Sequence, residues 1–264
     1  MAHSELLVIG ATGVGLGLIA SRENADAQVL LIDRGIIPGA EFVNALVPGD
    51  GWDAAPSSSF AKSVYDELIA RNILSNGRIH LPAISPVLYE RMKPLASRIR
   101  LSTEILGIAA TASGYEMTIS DAGGISKITA ASIIDTTTAR ISRPGMTFAS
   151  KAFNVLLDAP ARDFSEIIGQ HGTATVLPCR FDSERILSLP LAANDGFADA
   201  RRKLAQFWKE RDEALRPWSL AASAGAFAYT VTDKRTEIAP SWLHLPSAAY
   251  RNITLAIEAG ENAK

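Results

Sequence analysis

Leu6-Leu7-Val8-Ile9-Gly10-Ala11-Thr12-Gly13-Val14-Gly15-Leu16-Gly17 lies close to the start of the chain. Four consecutive apolar residues are typical of a buried strand, and the glycines after them favour a tight turn into a helix. Helical spacing follows from Val14 to Arg22, and a second apolar strand, Gln28 to Ile32, ends at Asp33. Strand, glycine turn, helix, strand and acidic residue within about thirty residues predict a dinucleotide-binding βαβ unit of the Rossmann type.

The glycines of this turn have distinct roles in such a unit. Gly10 and Gly15 take the positions where the strand turns and where the helix packs on the strand. Thr12 takes the middle position, where any Cβ atom crowds the phosphate. The N–H groups from Gly13 onward would hold the pyrophosphate, and Asp33 is placed to accept a hydrogen bond from a ribose hydroxyl. The alternative is a glycine-rich packing turn without a ligand.

A second interpretation concerns the class of dinucleotide enzyme. The order Gly-Ala-Thr-Gly at 10–13 also resembles the phosphate turn of short-chain NAD(P) dehydrogenases, which need a later Tyr-x-x-x-Lys pair. Only Tyr89 and Lys93 have that spacing, and they lie early in the chain between Pro86 and Pro94. The short-chain dehydrogenase interpretation is therefore disfavoured.

Composition limits the other classes. The chain has 264 residues, enough for one large or two modest domains, and a net charge of −2 without a basic run, which disfavours nucleic acid as a partner. The single cysteine, Cys179, excludes an intrachain disulfide and a dithiol redox couple. The histidines are scattered, so no metal site is predicted. Without a signal peptide or an apolar stretch of about 18 residues, we expect a cytoplasmic protein that does not enter a membrane.

The periodicity of the remaining sequence predicts further elements. A loop rich in Gly and Pro occupies 34–57, and serines at 57–59 can cap the next helix. Helices are predicted over 60–69 (with Phe60, Val64, Leu68 and Ile69 facing inward), 85–97, 195–216 (with Asp195 as N-cap and Pro217 as its stop) and 253–259. Strands are predicted over 100–101, 104–110, 115–120, 126–129, 131–134, 146–157, 173–177, 185–189, 225–231 and 242–245, with a hairpin turn at 121–124.

Four segments in this order resemble the FAD-dependent oxidoreductases of the glutathione-reductase-like superfamily, flavoproteins with two dinucleotide-binding domains. Leu7–Leu18 is similar to the flavin glycine motif, and Val29–Gly39 to the strand, acid and loop that hold the adenosine. Thr103–Ile108 resembles the segment whose backbone lies against adenine. Ser132–Thr138 resembles the strand that leads to a second flavin contact.

The resemblance implies an α/β fold: a Rossmann-like FAD/NAD(P)-binding domain over 1–145, including a β-hairpin segment at 103–130, and a smaller β-rich α+β substrate domain over 146–240. Residues 241–264 would return to the first domain. It further implies an FAD-dependent oxidoreductase that passes hydride from a small organic substrate to flavin. The implied cofactor-binding residues are Gly10, Thr12, Gly13, Gly15, Asp33, Arg34, Gly39, Ile105 and Thr137. Catalytic residues stay unassigned; polar candidates beside the substrate are Lys151, His171, Arg180, Arg185, Tyr229, Lys234 and Arg235.

Departures from the family pattern favour an alternative. Thr12 and Thr138 stand where the family has glycine, and Pro38-Gly39-Ala40 replaces two adjacent glycines. Leu245 to Gly260 resembles only the start of the family's C-terminal flavin segment, so the flavin ring would be either poorly enclosed or completed by a partner subunit or a second copy. The alternative is a flavin-less, degenerate relative that acts as a structural or regulatory subunit of an oxidoreductase complex.

Overall fold

The computed structural model describes residues 2–22, 28–145, 147–159 and 167–263. An eight-stranded sheet has the strand order β15-β16-β8-β1-β2-β5, with the β6–β7 hairpin extending from β8. Its members are β1 (Ala2–Ile9), β2 (Val29–Ile32), β5 (Ile99–Arg100), β6 (Glu104–Thr111), β7 (Gly114–Asp121), β8 (Gly124–Asp135), β15 (Thr236–Ala239) and β16 (Trp242–His244). The fold is therefore the expected α/β class.

The first βαβ unit forms as the sequence predicts. β1 runs parallel to β2, with Leu7 opposite Leu30, and parallel to β8, with Leu7 opposite Ile133. Strands buried on both faces are continuously apolar, which is the pattern of both β1 and β2. Helix α1 (Gly13–Ala20) connects them, and its residues from Gly13 to Ile19 are buried.

The hairpin predicted at 121–124 is confirmed. β7 and β8 pair antiparallel from Tyr115–Ala130 to Asp121–Gly124, which leaves a two-residue turn. The prediction of separate strands over 126–129 and 131–134 is wrong, because β8 is one twelve-residue strand. Its first part pairs with β7 and its second part lies between β1 and β16. One strand thus belongs to both the ribbon and the parallel sheet.

A second, antiparallel sheet follows in the chain and has its own apolar core. Its order is β10-β11-β12-β9-β13, with β14 also pairing with β9. The strands are β9 (Ser150–Asp158), β10 (Gly169–His171), β11 (Ala174–Pro178), β12 (Glu184–Leu191), β13 (Ser219–Ser223) and β14 (Ala228–Thr230). The predicted strand over 146–157 starts later, at Ser150, and Met146 lies outside the described residues. A small hairpin elsewhere joins β3 (Leu74–Ser75) to β4 (Arg78–Ile79).

Helix α5 (Phe197–Glu210) packs on the second sheet and is shorter than the predicted 195–216. Asp195 is not its N-cap, because its carboxylate accepts from the N–H of Ala192 and binds Lys203. Gly196 takes the N-cap position instead. The helix ends well before Pro217, since Asp212 caps a separate short 3-10 turn.

Two helices of the first core also differ from prediction. In α3 (Ser59–Ala70) the inner face includes Ala61, Val64, Tyr65 and Leu68, whereas Ile69 is 48% exposed. α4 (Ile84–Met92) ends before 97, where the chain continues as a 3-10 turn over Lys93–Arg98. Pro94 explains this change, because proline has no N–H for the next helical hydrogen bond.

The C-terminal helix α6 (Ile253–Glu261) lies against α1 at unusually short range. A Cβ atom on Gly17 would lie 2.0 Å from the carbonyl oxygen of Ile257, and one on Gly260 would lie 2.1 Å from that of Val14. Only glycine permits this approach, so these two residues set the position of α6 over the start of α1.

Among the described helices, none is long and apolar enough to cross a bilayer.

Candidate dinucleotide site

The candidate site lies where β1 ends and α1 begins. Gly10 has φ +105°, a conformation that favours glycine, and its N–H donates to the carbonyl of Ile32 on β2. A Cβ atom on Gly15 would lie 2.1 Å from the carbonyl oxygen of Gly10. The two glycines therefore allow the helix to start directly against the strand, and the first amides of α1 face the carboxyl end of the sheet.

Side chains from two distant segments bind the first two of these amides. The N–H of Gly13 donates to Oε1 of Glu41 at 2.8 Å, and the N–H of Val14 donates to Oγ of Ser247 at 3.3 Å. Ser247 in turn donates to Oε1 of Glu41 at 2.5 Å. Glu41 lies in α2 (Ala40–Val43), and Ser247 lies in the turn before α6. A carboxylate of the chain therefore lies at the positive end of α1.

Thr12 satisfies the third amide from within the turn. Its Oγ1 accepts from the N–H of Gly15 at 3.1 Å, as a helix N-cap does, and donates to Oγ1 of Thr136 at 2.7 Å. Thr136 is fully buried and donates to the carbonyl of Ile9 at 2.9 Å. Thr12 thus bonds the helix start to the ends of both β1 and β8.

The carboxyl group of Glu41 is mostly withdrawn from water. Burial raises the pKa of Glu41 to about 7, although the hydrogen bonds from Ser247 and Gly13 act in the opposite direction. Its second oxygen, Oε2, is buried and has no hydrogen-bond partner within the described residues. Only half of this carboxyl group is therefore satisfied.

Asp33 keeps the geometry expected of a ribose acceptor. Its Oδ2 accepts from the N–H of Ala11, and its Oδ1 from that of Gly35, both at 2.6 Å. The residue is partly exposed at the end of β2. Since each carboxylate oxygen can accept more than one hydrogen bond, Asp33 has capacity for a ribose hydroxyl.

The other predicted cofactor residues are only partly brought together. Gly39 joins the corner, because its N–H donates to the carbonyl of Ala11 at 2.8 Å. Thr137 lies beside Gly10, where its Cγ2 would be 2.8 Å from an added Cβ, and its hydroxyl binds the buried Asp135. Arg34 is exposed after β2, and Ile105 lies in β6 at a bulge.

A second helix start in this region is also capped by the chain. Oδ1 of Asn252 accepts from the N–H of Leu255 at 3.0 Å, and its Nδ2 donates to the carbonyl of Asp50 at 2.8 Å. The backbone of Asp50 also pairs with Arg251. The loop at 48–52 therefore covers the N-terminus of α6.

The polar candidates of the second sheet form contacts within the protein. Nζ of the buried Lys151 donates to the carbonyl of Asp195 at 2.5 Å and lies 4.0 Å from the ring centroid of Phe227. Arg185 donates to the carbonyls of Phe181, Asp182 and Glu184, and His171 binds Asp212 and the carbonyl of Ile167. Arg180 binds Asn72, Tyr229 packs on Phe148, and Lys234 lies over the ring of Tyr250. Arg235 is exposed. None of these contacts singles out a catalytic group.

The Tyr89 and Lys93 side chains do not form a dehydrogenase pair. The hydroxyl of Tyr89 donates to the carbonyl of Ile36, and Nζ of Lys93 binds Glu90 at 2.7 Å.

Cys179 is a buried thiol, as expected for an isolated cysteine, and burial raises its pKa to about 12.

Sequence reasoning missed three of the residues that define the corner. Glu41 is 28 residues from Gly13, and Ser247 is 233 residues from Val14, so no local pattern connects them. Thr136 lies in the segment that resembles a flavin contact, but the resemblance implies its neighbour Thr137 as the contacting residue. Thr136 directly follows β8, where residues 133–136 are all buried, so no alternation in the sequence marks it.

Comparison with known proteins shows what the fold is shared with. No family model matches the chain. A part of 67 residues, 25% of the chain, is 40% identical to the sarcosine oxidase subunit alpha of Rhizobium meliloti (strain 1021), and it spans 6% of that protein.

Solved structures match nearly the whole chain at low identity. p-Nitrophenol 4-monooxygenase from Pseudomonas putida DLL-E4 has a TM-score of 0.64 at 15% identity, over 99% of this chain and 77% of that one. Glycine oxidase from Geobacillus kaustophilus has a TM-score of 0.60 at 12% identity, over 98% and 93%. The flavin-dependent monooxygenase PieE, solved with FAD and substrate, has a TM-score of 0.57 at 12% identity, over 97% and 56%.

The chain therefore has the fold of FAD-dependent oxidases and monooxygenases: a Rossmann-like parallel sheet with a second antiparallel sheet. Its membership of the glutathione-reductase-like superfamily stays a prediction.

The residues of the corner do not fit the diphosphate of FAD in the conformation described. A pyrophosphate binds this fold through the amides at the start of the first helix. Here Glu41, Ser247 and Thr12 already bind those amides. Above its pKa of about 7, the ionised Glu41 also repels an incoming phosphate, most strongly in a buried setting where charges are poorly screened. Asp33 fits the ribose, but the amides beside it are taken.

Proposed function

We propose that this chain is a flavin-less relative of the FAD-dependent oxidases and monooxygenases, acting as a structural or regulatory subunit of an oxidoreductase complex. One observation carries the proposal: Glu41, Ser247 and Thr12 bind the three amides that a dinucleotide would need. Because side chains of the chain accept these three hydrogen bonds, the start of α1 needs no bound diphosphate to satisfy its amides.

The edge of the ribbon supports a role as a subunit. β6 has eight residues, and its segment 105–111 has no charged residue and no proline. Leu106 in it is 54% exposed. The edge strands β5, β10, β13 and β15 have only two to five residues. Proteins normally protect exposed edges with charges, proline, bulges or short length. Beyond its bulge at Ile105–Gly107, the segment 107–111 of β6 has none of these and suits pairing with a strand of another subunit.

The similarity to a subunit of sarcosine oxidase points in the same direction, although it covers a small part of that protein. Among the residues described, the contacts on the second sheet single out no catalytic group to weigh against a non-catalytic role. A cytoplasmic location is part of the proposal.

The second candidate is an FAD-dependent oxidoreductase that transfers hydride from a small organic substrate to flavin. The position of Asp33 and the fold shared with glycine oxidase and flavin-dependent monooxygenases favour it. In that case Glu41 must leave Gly13 when the diphosphate binds, and the substrate would lie against the second sheet.

An absorption spectrum distinguishes the two candidates. We expect the purified chain to be colourless, with no flavin in the supernatant after denaturation, and to leave the fluorescence of added FAD unchanged. A yellow protein that releases stoichiometric FAD would reject the flavin-less role. Adding FAD to glycine oxidase freed of its flavin supplies the positive control, because that protein has the same fold.

A further inference from the structure

We infer that the carboxylate of Glu41 replaces a bound phosphate at the start of α1, and that removing this side chain turns the corner into a site for a nucleoside diphosphate. This inference rests on the proposed absence of flavin. It adds that the anion site itself is preserved and is filled by the chain.

The geometry is that of an anion site. Gly13, Val14 and Gly15 offer consecutive N–H groups at the N-terminus of an eight-residue helix. The positive end of the helix dipole adds to these donors, which is why phosphates bind at such positions. Oε1 of Glu41 takes the N–H of Gly13 and the hydroxyl of Ser247 together.

A second observation sets Glu41 apart from an ordinary cap. Its Oε2 is buried without a hydrogen-bond partner among the residues described. An ionised carboxylate has about four acceptor positions, and a buried one with so few donors is poorly matched to its surroundings. Without the Glu41 side chain, the N–H of Gly13 and the hydroxyl of Ser247 are both free to donate to another anion.

The start of α3 supplies the comparison within the same molecule. There the carboxylate of Glu261 accepts from the N–H of Phe60 at 2.9 Å and of Ala61 at 2.8 Å, and the hydroxyls of Ser58 and Ser59 also donate to it. Both of its oxygens are satisfied. Glu261 is therefore a structural cap, whereas Glu41 is only half satisfied at the helix that the dinucleotide fold uses for phosphate.

The neighbours of the corner suit the rest of the ligand. Asp33 lies one residue beyond β2 and binds the N–H of Ala11, next to the amides, with capacity for a ribose hydroxyl. Adenosine diphosphate combines this hydroxyl with the phosphates, so it is the probe of choice. Inorganic phosphate tests the anion site without the ribose.

The test is chemical rescue of Glu41→Ala. We expect this variant to melt at a lower temperature than the wild type, because the N–H of Gly13 and the hydroxyl of Ser247 lose their acceptor. ADP at a hundred times its Kd should then raise the Tm of the variant by roughly 5–10 °C, whereas the wild type should not respond. Calorimetric titration should show ADP binding to the variant at least ten-fold tighter than to the wild type. Thr12→Gly added to Glu41→Ala should tighten it further, since a Cβ is removed beside the phosphate.

Glu261→Ala is the matched control, because it also removes a carboxylate from a helix start. It should lower the Tm without being rescued by ADP. If Glu41→Ala does not fold alone, its refolding yield with and without ADP gives the same answer. Failure of ADP to stabilise, bind or refold the variant would overturn the inference. The proposed function would still stand in that case, provided that the wild type is purified without flavin. Rescue of Glu261→Ala to the same extent would show unspecific stabilisation and also overturn it. Binding of FAD to the wild type would reject both.

Discussion

The hydroxyl of Thr12 donates a hydrogen bond to the hydroxyl oxygen of Thr136 over 2.7 Å, between residues 124 positions apart in the chain. Thr136 passes the connection on to the carbonyl of Ile9. Thr12 stands at the position where a dinucleotide fold has its phosphate-facing glycine. The residue that departs from the glycine pattern therefore has a structural function: it binds the turn to the sheet.

Thr136→Val tests this connection. Valine has nearly the same shape but no hydroxyl, so Thr12 loses its buried acceptor and the carbonyl of Ile9 loses a donor. We expect the free energy of unfolding to fall by about 1–3 kcal/mol, measured by urea denaturation. Thr230→Val, which removes an exposed hydroxyl paired with Ser150, should change it by less than about 0.5 kcal/mol. Equal effects of the two variants would contradict a special role of the Thr12–Thr136 pair.

The carboxyl group of Glu41 predicts a pH dependence of stability. Its pKa is about 7 in the folded chain and near its ordinary 4.5 when unfolded. Between these values the folded state keeps a proton that the unfolded state has lost. The free energy of unfolding should therefore fall as pH rises from about 4.5 to 7, by on the order of 3 kcal/mol, and Glu41→Gln should remove this slope.

Glu258 provides a control of opposite sign for the same measurement. Burial alone would raise the pKa of Glu258, but hydrogen bonds from Ser57 and Ser58 bring it below its ordinary value. Its contribution to stability is present above the ordinary pKa and is lost as pH falls. Glu258→Gln should thus alter only the acid side of the stability curve. A slope between pH 4.5 and 7 that persists in Glu41→Gln would show that another group causes it.

Self-association through β6 is a third prediction. Antiparallel pairing of two copies about Ile108 places Glu104 of each opposite an alanine at 112, so no like charges meet. We expect the wild type to sediment as a dimer and Leu106→Lys to sediment as a monomer. Ile125→Lys, at a residue of β8 that is 74% exposed, should remain dimeric. A wild type that stays monomeric at all concentrations would disprove pairing between copies.

Cys179 predicts slow reaction with thiol reagents. The side chain is buried, and burial raises its pKa to about 12, so the reactive thiolate is scarce at neutral pH. We expect the thiol to be labelled in denaturant at least a hundred-fold faster than in the native chain. Rapid labelling of the native chain, with unchanged circular dichroism, would show that Cys179 is accessible.

Local sequence determined most of the fold. The apolar run before Gly10, the helical spacing after it and the acid at Asp33 define the βαβ unit, because each depends only on near neighbours. The turn at 121–124 likewise fixed the hairpin. The start of α5 was not predictable in this way, since Asp195 binds Ala192 and Lys203 rather than the first amides of the helix.

The tertiary structure decided how the site is filled. The sequence placed Gly10 and Gly15 where β1 meets α1 and Asp33 after β2, as the structure has them. Glu41 and Ser247 reach the first amides of α1 only through contacts between segments that are distant in the chain. Hydrogen bonds between residues 28 and 233 positions apart leave no periodic signal. The local sequence therefore predicts the strand, turn and helix of a dinucleotide-type corner. The binding of its first amide by the carboxylate of Glu41 depends on contacts that only the folded chain creates.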